Sequence, residues 1–362
     1  MQGQWFGRLE RRIIILEIDE FEDAFRGNVQ IHEYTPDGRH WLNVALGRVE
    51  TPDKQQHGQI RTTLSRYNED ELDLSKVPFQ PCLGLMHTVE YECDNNEFYI
   101  RLPEFNLEAR LTNGCSQKSK YPLKPMCWRE FKDYLDTNAC SSERFIWRGQ
   151  KKSEWPLRSS FHRHCRADSA QYLRFNLQRL RPYITSITKS KYDLSNTDDQ
   201  IEFLSLVQHH GYPTPFLDWS LSPYIAAFFA FQNSQGVDFN APYARIYWLN
   251  FHDWGLAERE KFLLACGAPQ FTVLDAPPIH NPRPIPQQAL SAFTNVADVE
   301  SLFRFKQKQH NKEFLGVIDL PWSDRRAIMK DLRSMGITAS SLFPGLDGIC
   351  EAFKEQYFPT DQ

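Results

Sequence analysis

The stretch Gln208-His-His-Gly-Tyr-Pro-Thr-Pro-Phe-Leu-Asp-Trp-Ser-Leu-Ser-Pro-Tyr-Ile-Ala-Ala-Phe-Phe-Ala230 decides how this chain is read. Before it, Ile201, Leu204 and Val207 share one face of a helix that runs out near His210, where Gly211 supplies a left-handed stop. Tyr212-Pro-Thr-Pro215 forces an extended connector, because each Pro excludes the helical region for its predecessor. Phe216-Leu-Asp-Trp219 reads as a short strand. Ser222 followed by Pro223 is a side-chain N-cap and then the residue best suited to the first helical position. The helix they open, Tyr224–Gln232, is apolar on all sides and belongs inside. His209 and Asp218 each have an ordinary use: the His caps its own helix end, and the Asp holds backbone N–H groups at the turn. Packed together beside a sharp turn and a helix start, and with Thr214 as a further binding candidate, they look more like a ligand cleft.

Helices and strands alternate on both sides of this stretch. Trp128–Cys140 is a helix with Phe131, Tyr134 and Leu135 on one face. Phe145–Gln150 is a short strand that delivers Arg148 and then Gly149. An Arg at a strand end is either a fork for phosphate or carboxylate or half of a structural ion pair. The Gly lets a backbone or a ligand come close. The loop Pro156–His164 gathers Arg158, His162, Arg163 and His164 into a local positive cluster. A long helix follows over 169–187, with Leu173, Leu177, Leu180 and Ile184 as core. Strands are expected at Tyr243–Asn250, at the end of the Pro-rich run 281–294, and at Leu315–Leu320. Ser323 should cap a helix carrying Ile328, Leu332 and Met335, which Gly336 ends. A last helix follows 338–348.

Residues 1–115 read differently. Arg12–Asp19 is a β-branched apolar run, Asn28–Tyr34 alternates, and Tyr34-Thr-Pro-Asp-Gly-Arg39 has turn chemistry. Thr88–Cys93 and Glu97–Leu102 repeat the pattern. Four to six strands and no long helix predict a small antiparallel β sandwich or barrel. Residues 116–127 are polar and Pro-punctuated and read as a linker, and 128–362 form the second domain. The fold class is therefore α+β: a β-rich N-terminal domain and a C-terminal mixed α/β domain.

Twenty-six Phe and nine Trp supply enough area for two cores. A net charge of −4 provides no bulk field for nucleic acid. The eight Cys form no C-x-x-C and no zinc-finger spacing, and His32, His40, His57 and His87 are dispersed. That predicts free thiols, a reducing compartment and no metal. The N-terminus lacks an apolar signal core, and runs such as Ile225–Phe231 fall well short of the ~20 residues of a membrane span. A cytoplasmic protein without membrane contact is expected.

The motifs together resemble the FRG domain family, named for a Phe-Arg-Gly triplet that reads Trp147-Arg148-Gly149 here. The family's central pattern, close to Gln-His-x-Gly-x-Pro-Thr-x-Leu-Leu-Asp-Trp-(Thr/Ser)-x-Ser-Pro, is matched from Gln208 to Ala230. A later element is matched loosely at Asn281, Arg283, Gln287, Gln288, Phe293 and Thr294, and a closing one at Gly336–Gly348. Trp147 for Phe and the longer Ala289–Ala292 insert are departures. The order of elements also resembles the Arg–Ser–Glu class of ADP-ribosyltransferases. That remoter resemblance implies NAD as substrate, with Arg148 near its phosphates and Ser220 supporting the nicotinamide ribose. Gln287 or Gln288 would stand where the class has a catalytic Glu, with Glu300, Asp347 and Glu351 as carboxylate candidates. Gly149, His209, Thr214, Asp218 and Ser222 complete the expected binding set, Ser222 chiefly as a cap. The implied activity is ADP-ribosyl transfer to a protein or nucleic acid, or NAD hydrolysis, with a protein partner on the β domain. The alternative is a non-catalytic nucleotide-binding or protein-interaction module. Proteins of this look are mostly bacterial or phage-borne, so a toxin or phage-defence role belongs among the expectations.

Overall fold

Alternation along Arg12–Glu20 turns Ile14, Leu16 and Ile18 to one side of an extended chain and Glu17 and Asp19 to the other. All five are buried, so this strand is covered on both faces. The structure is a computed structural model that describes residues 1–9, 12–34, 41–51, 55–63, 65–67, 86–94, 97–103, 107–114, 118–137, 144–232, 242–258, 262, 264, 269–275 and 283–358.

Nine strands come first among the described residues: β1 (Gly3–Leu9), β2 (Arg12–Glu20), β3 (Phe25–Tyr34), β4 (Trp41–Glu50), β5 (His57–Thr63), β6 (Ser65–Tyr67), β7 (Met86–Cys93), β8 (Glu97–Leu102) and β9 (Leu107–Asn113). They form an antiparallel sheet in the order β5-β7-β8-β9-β1-β2-β3-β4-β6. Only position 64 separates β5 from β6, so the two ends of this ladder are consecutive pieces of chain. Thr62 Oγ1 donates to the Arg48 carbonyl at 2.7 Å across the join. The sheet thus closes like a barrel, which removes exposed edges. Trp5, Leu16, Val29, Val49, Ile60, Val89, Phe98 and Leu111 fill its interior. Nine strands exceed the expected four to six because β1, β4, β5 and β9 interleave Gly and polar residues. Their runs carry no unbroken apolar signal. The expected turn at 34–39 lies outside the described residues apart from Tyr34.

The second region contains α1 (Trp128–Thr137), β10 (Phe145–Gln150), α2 (Ser160–Arg163), α3 (Ser169–Gln171), a π-helical stretch Tyr172–Leu177, α4 (Gln178–Thr188), α5 (Thr197–His209), β11 (Phe216–Ser220) and α6 (Pro223–Phe231). It continues through β12 (Tyr243–Asn250), α7 (Phe251–Ala257), β13 (Phe271–Leu274), α8 (Pro284–Gln287), β14 (Ala289–Thr294), α9 (Val299–His310), β15 (Leu315–Pro321), α10 (Arg325–Ser334), α11 (Ala339–Leu342) and α12 (Leu346–Tyr357). Its six strands run antiparallel in the order β13-β14-β11-β10-β12-β15. Trp147, Ile246 and Ile318 face one side, with α1, α6 and α10. Ile146, Tyr247 and Val317 face the other, with α7 and α9. A third cluster packs α5 and the 172–184 helical stretch against Phe161 and Phe216.

Several expectations need adjustment. The loop at 156–164 contains a helical turn, because the Ser159 side chain caps α2 at the His162 N–H. Ser323 lies within a 3-10 turn, Trp322–Asp324, and α10 starts after Asp324 without a side-chain cap. Met335 is 48% exposed rather than core. The helix over 169–187 is broken by the π stretch just upstream of Pro182, which lacks the N–H an α-helix needs. α7, α9 and β13 were not anticipated. No described helix is long and apolar enough to cross a membrane.

The outer face of β1 and β2 docks on the second region. Gln4 Nε2 donates to the Asn295 carbonyl at 2.8 Å, and the Ala297 N–H donates back to Gln4 Oε1 at 2.7 Å. Asp19 accepts from Arg166 Nε at 2.8 Å and from the Ala167 N–H at 2.9 Å. The stretch 118–127 is tied down as well. Lys124 N–H donates to Asp319 Oδ2 at 2.8 Å, and Met126 N–H donates to the Asp319 carbonyl at 3.0 Å.

Candidate functional site

β10 and β11 pair at one position, Trp147 opposite Ser220. By that register Arg148 stands across from Trp219. Arg148 donates from a terminal guanidinium nitrogen to the Asp218 carbonyl at 2.5 Å, a backbone group that the short β10–β11 ladder leaves for a side chain. Its Nε is buried and has no partner among the described residues, and the same holds for Trp219 Nε1. Two cross-strand neighbours therefore carry buried N–H donors that an acceptor oxygen would satisfy.

Asp218 lies at the centre of the polar residues from the motif. Gln208, in the last turn of α5, donates from Nε2 to Asp218 Oδ1 at 2.5 Å and accepts from Thr214 Oγ1 at 2.5 Å. Thr214 is fully buried, and its backbone is clasped by α2: its N–H donates to Ser160 Oγ at 3.0 Å, and its carbonyl accepts from the Phe161 N–H at 3.0 Å. This clasp brings Arg163, at the end of α2, into the field of Asp218. Burial lowers the pKa of both Arg148 and Arg163, and the Asp218 carboxylate opposes that shift in each. Guanidinium groups stay protonated under such shifts. Two cations against one carboxylate leave the spot positive. His162 adds no charge, since burial and then Arg158 push its pKa down to about 3.

The remaining predicted residues hold the frame. Ser220 is buried; its hydroxyl donates to the Gln287 carbonyl at 2.8 Å and accepts from the Ser222 N–H at 3.1 Å. Ser222 caps α6 through the Ile225 N–H at 3.3 Å, as expected of its position. Gln287 is buried, with Nε2 donating to the Leu342 carbonyl at 3.0 Å. Gln288 is exposed in the left-handed region, φ 46°, where α8 turns into β14. His209 Nδ1 sits 2.7 Å from the Ser205 carbonyl of its own helix, and the His209 carbonyl accepts from Arg283 at 3.2 Å. Glu300 is buried and occupied by Ser119 Oγ, the Lys120 N–H, the Leu157 N–H at 3.0 Å and Tyr247 O–H at 2.7 Å. Asp347 and Glu351 lie on α12. The structure thus joins Arg148, Asp218 and Thr214 in one network and Ser220, Ser222 and Gln287 in another. Gln208 was quoted in the motif without a role and proves to be the bridge. Its signal was its place in the last helical turn, four residues after the buried Leu204 and beside His209.

Gly149 has a mechanical role. A Cβ there would lie 1.9 Å from the Ala226 carbonyl oxygen and 2.8 Å from the Ala230 nitrogen, both backbone atoms of α6. The helix is small-faced where it crosses this glycine, and its apolar residues are almost all buried. Gly149→Ala should therefore push α6 off the sheet at a cost of about 1–3 kcal/mol in urea unfolding. An unchanged midpoint would show that α6 yields freely.

Residues 143–238 match the family model described as the FRG domain. The chain carries an FRG domain. The match spans the Trp147-Arg148-Gly149 triplet and the whole of the 208–230 motif, so Arg148, Arg163, Gln208, Thr214 and Asp218 lie within it, while Arg283, Gln287, Gln288 and Glu300 lie beyond it. No curated protein and no solved structure matches the chain.

Proposed function

We propose that the FRG domain binds a phosphate-bearing nucleotide at Arg148, with NAD as the candidate substrate. The observation that carries the reading is the Arg148 guanidinium, held by the Asp218 carbonyl with its Nε buried and unpartnered. A phosphate oxygen would satisfy that donor, and Arg163 adds charge of the same sign. In the ADP-ribosyl-transfer reading, the bond between ribose C1′ and the nicotinamide nitrogen breaks, with its electron pair leaving on nicotinamide. Positive charge then develops on the ribose. The Asp218 carboxylate is the anionic group beside Arg148 that would stabilise it, and Gln288, whose backbone carbonyl accepts from the Leu221 N–H at 3.0 Å, is an exposed amide just past the end of β11. An acceptor nucleophile, from a protein, a nucleic acid or water, closes the reaction and gives up its proton. Ser220 and Gln287 act as positioning residues, since their side chains are engaged with backbone groups.

Purified protein incubated with NAD should release nicotinamide, and Arg148→Ala should abolish the release while circular dichroism stays unchanged. Full release by that variant would remove Arg148 from the site. The engagement of Ser220 and Gln287 favours a second reading, a nucleotide-binding or protein-interaction module without chemistry. In that case calorimetry would register NAD or ADP-ribose binding, lost in Arg148→Ala, with no nicotinamide formed. The barrel would then serve partner recognition on strands other than β1 and β2, whose outer face is taken by the second region.

A further inference from the structure

Helix α12 has two faces with different surroundings. Gly348, Ala352 and Glu355 recur every three or four residues and face the domain. A Cβ on Gly348 would lie 2.0 Å from the Phe343 carbonyl oxygen, Ala352 packs on the core around α6, and Glu355 takes Arg325 at 3.0 Å. On the other side, Leu346, Cys350, Phe353 and Tyr357 recur at the a and d spacing of a coiled coil. This side is open: Leu346 is 79% exposed, Phe353 54% and Tyr357 61%, and Cys350 is an exposed free thiol. Ile349, at 47%, widens the stripe. A continuous apolar stripe of this kind marks a contact surface.

The charges beside the stripe indicate what covers it. Asp347 follows Leu346 and Lys354 follows Phe353, so one heptad separates them and both lie on the same flank. Lys354 is about half exposed, and among the described residues its ammonium has a 3.4 Å contact to Glu351 on its own helix. A two-fold axis across the stripe brings each flank against the same flank of the second copy, running the other way. Asp347 of one copy then meets Lys354 of the other, twice over, while Leu346 meets Tyr357 and Cys350 meets Phe353. A parallel pair would set this charged flank against Ile349 and Gln356 instead. We propose that α12 pairs antiparallel with α12 of a second copy of this chain, forming an isologous dimer. A helix of this length spans only about 18 Å. The contact therefore sits at the small end of specific interfaces, and association should depend visibly on concentration.

Sedimentation velocity on the full chain over a hundredfold concentration range tests this. The wild type should pass from monomer to dimer. Phe353→Glu should stay monomeric with an unchanged melting curve, because the side chain is not part of the core. Asp347→Lys should weaken the dimer at least tenfold by placing Lys against Lys. Adding Lys354→Asp to it should restore the affinity, which a mere weakening of the helix start would not allow. A wild type that is monomeric throughout would mean that something other than a second copy covers the stripe, and it would overturn the proposal. So would a dimer that Phe353→Glu leaves intact, or one that is indifferent to both charge changes.

Discussion

Asp319→Ala should destabilise the protein by about 3–5 kcal/mol, the range for leaving a buried charge without its partner. Asp319 is fully buried and takes Arg245, itself 1% exposed, through two bonds, Nε to Oδ1 at 2.7 Å and a terminal nitrogen to Oδ2 at 3.0 Å. Arg245 reaches on to Ser119 Oγ at 2.5 Å and to the Tyr121 carbonyl at 3.3 Å. Asp319 also receives the Lys124 N–H. One carboxylate thus neutralises a cation inside the second sheet and anchors the chain that arrives from the barrel. Without it the Arg245 charge stays buried among neutral oxygens, which compensate only in part. Urea unfolding gives the loss directly, and amide exchange at 119–126 should quicken more than exchange in β12. A loss below about 1 kcal/mol would mean that those neutral oxygens suffice. Asp319→Asn, which keeps acceptor geometry without the charge, should fall between wild type and Ala.

The docked face of the barrel predicts an unusual dependence on pH. Glu17, Asp19 and Asp168 meet there. Burial pushes the Asp168 carboxyl from its ordinary 3.8 up to about 6, and Asp19 adds to the rise while Arg48 opposes it. Burial raises Glu17 well above its ordinary range, with Asp168 adding to the rise and bonds from Gln4 and Gln30 opposing it. Asp19 is also raised by burial, although Arg166 pulls it down. Each carboxyl binds its proton more tightly in the folded state than in the unfolded one. Their contribution is therefore complete below about pH 4 and is lost as pH rises through the folded values. For Asp168 that window runs from its ordinary value to about 6, and roughly two units amount to about 3 kcal/mol. Glu17 extends the fall to higher pH. Above pH 5 about half of the Asp168 contribution is still to be lost, roughly 1.5 kcal/mol, and Glu17 adds to the fall, while His162, whose pKa burial holds at about 3, gives back about 2 kcal/mol from pH 5 to pH 8. The effect of the cluster is therefore read in urea as the pH-dependent difference between the wild type and a variant that removes one of its carboxyls. Glu17→Gln, which copies the protonated form at every pH, should gain in stability on the wild type as pH rises from 5 to 8. A gap between Glu17→Gln and the wild type that stays constant from pH 5 to 8 would show that water or movement of the barrel relieves the cluster.

Much of the fold was legible in the residues themselves. The boundaries of α5, β11 and α6 follow from Gly211, the Pro213 and Pro215 connector and the Ser222–Pro223 start, because those signals act through backbone geometry within a few positions. β10, β12 and β15 announced themselves by apolar runs, since a strand covered by helices on both sides alternates little. The barrel strands were read less completely. Apart from the docked β1 and β2 they have one covered face, and β1, β4 and β9 dilute the alternation with Gly and charged residues. Helix α9 was missed because its buried set includes Glu300 and Lys306, which count as surface residues in any periodicity until Tyr247 and Glu258 are seen to satisfy them.

By itself, the sequence determined the two-part α+β plan, the order of helices and strands around the 208–230 motif, and the FRG domain. Each rests on local patterns of turn, cap and apolar spacing. Only the tertiary structure decided what the motif's polar residues do. Thr214, Gln208, Asp218 and Arg148 converge because α2 clasps the Thr214 backbone and β10 and β11 pair at a single position. Gly149 serves helix packing, and Glu300 serves a buried hub away from the motif. Whether a side chain is spent on its own backbone or left facing a cleft depends on contacts between segments far apart in the chain. No local spacing encodes those contacts.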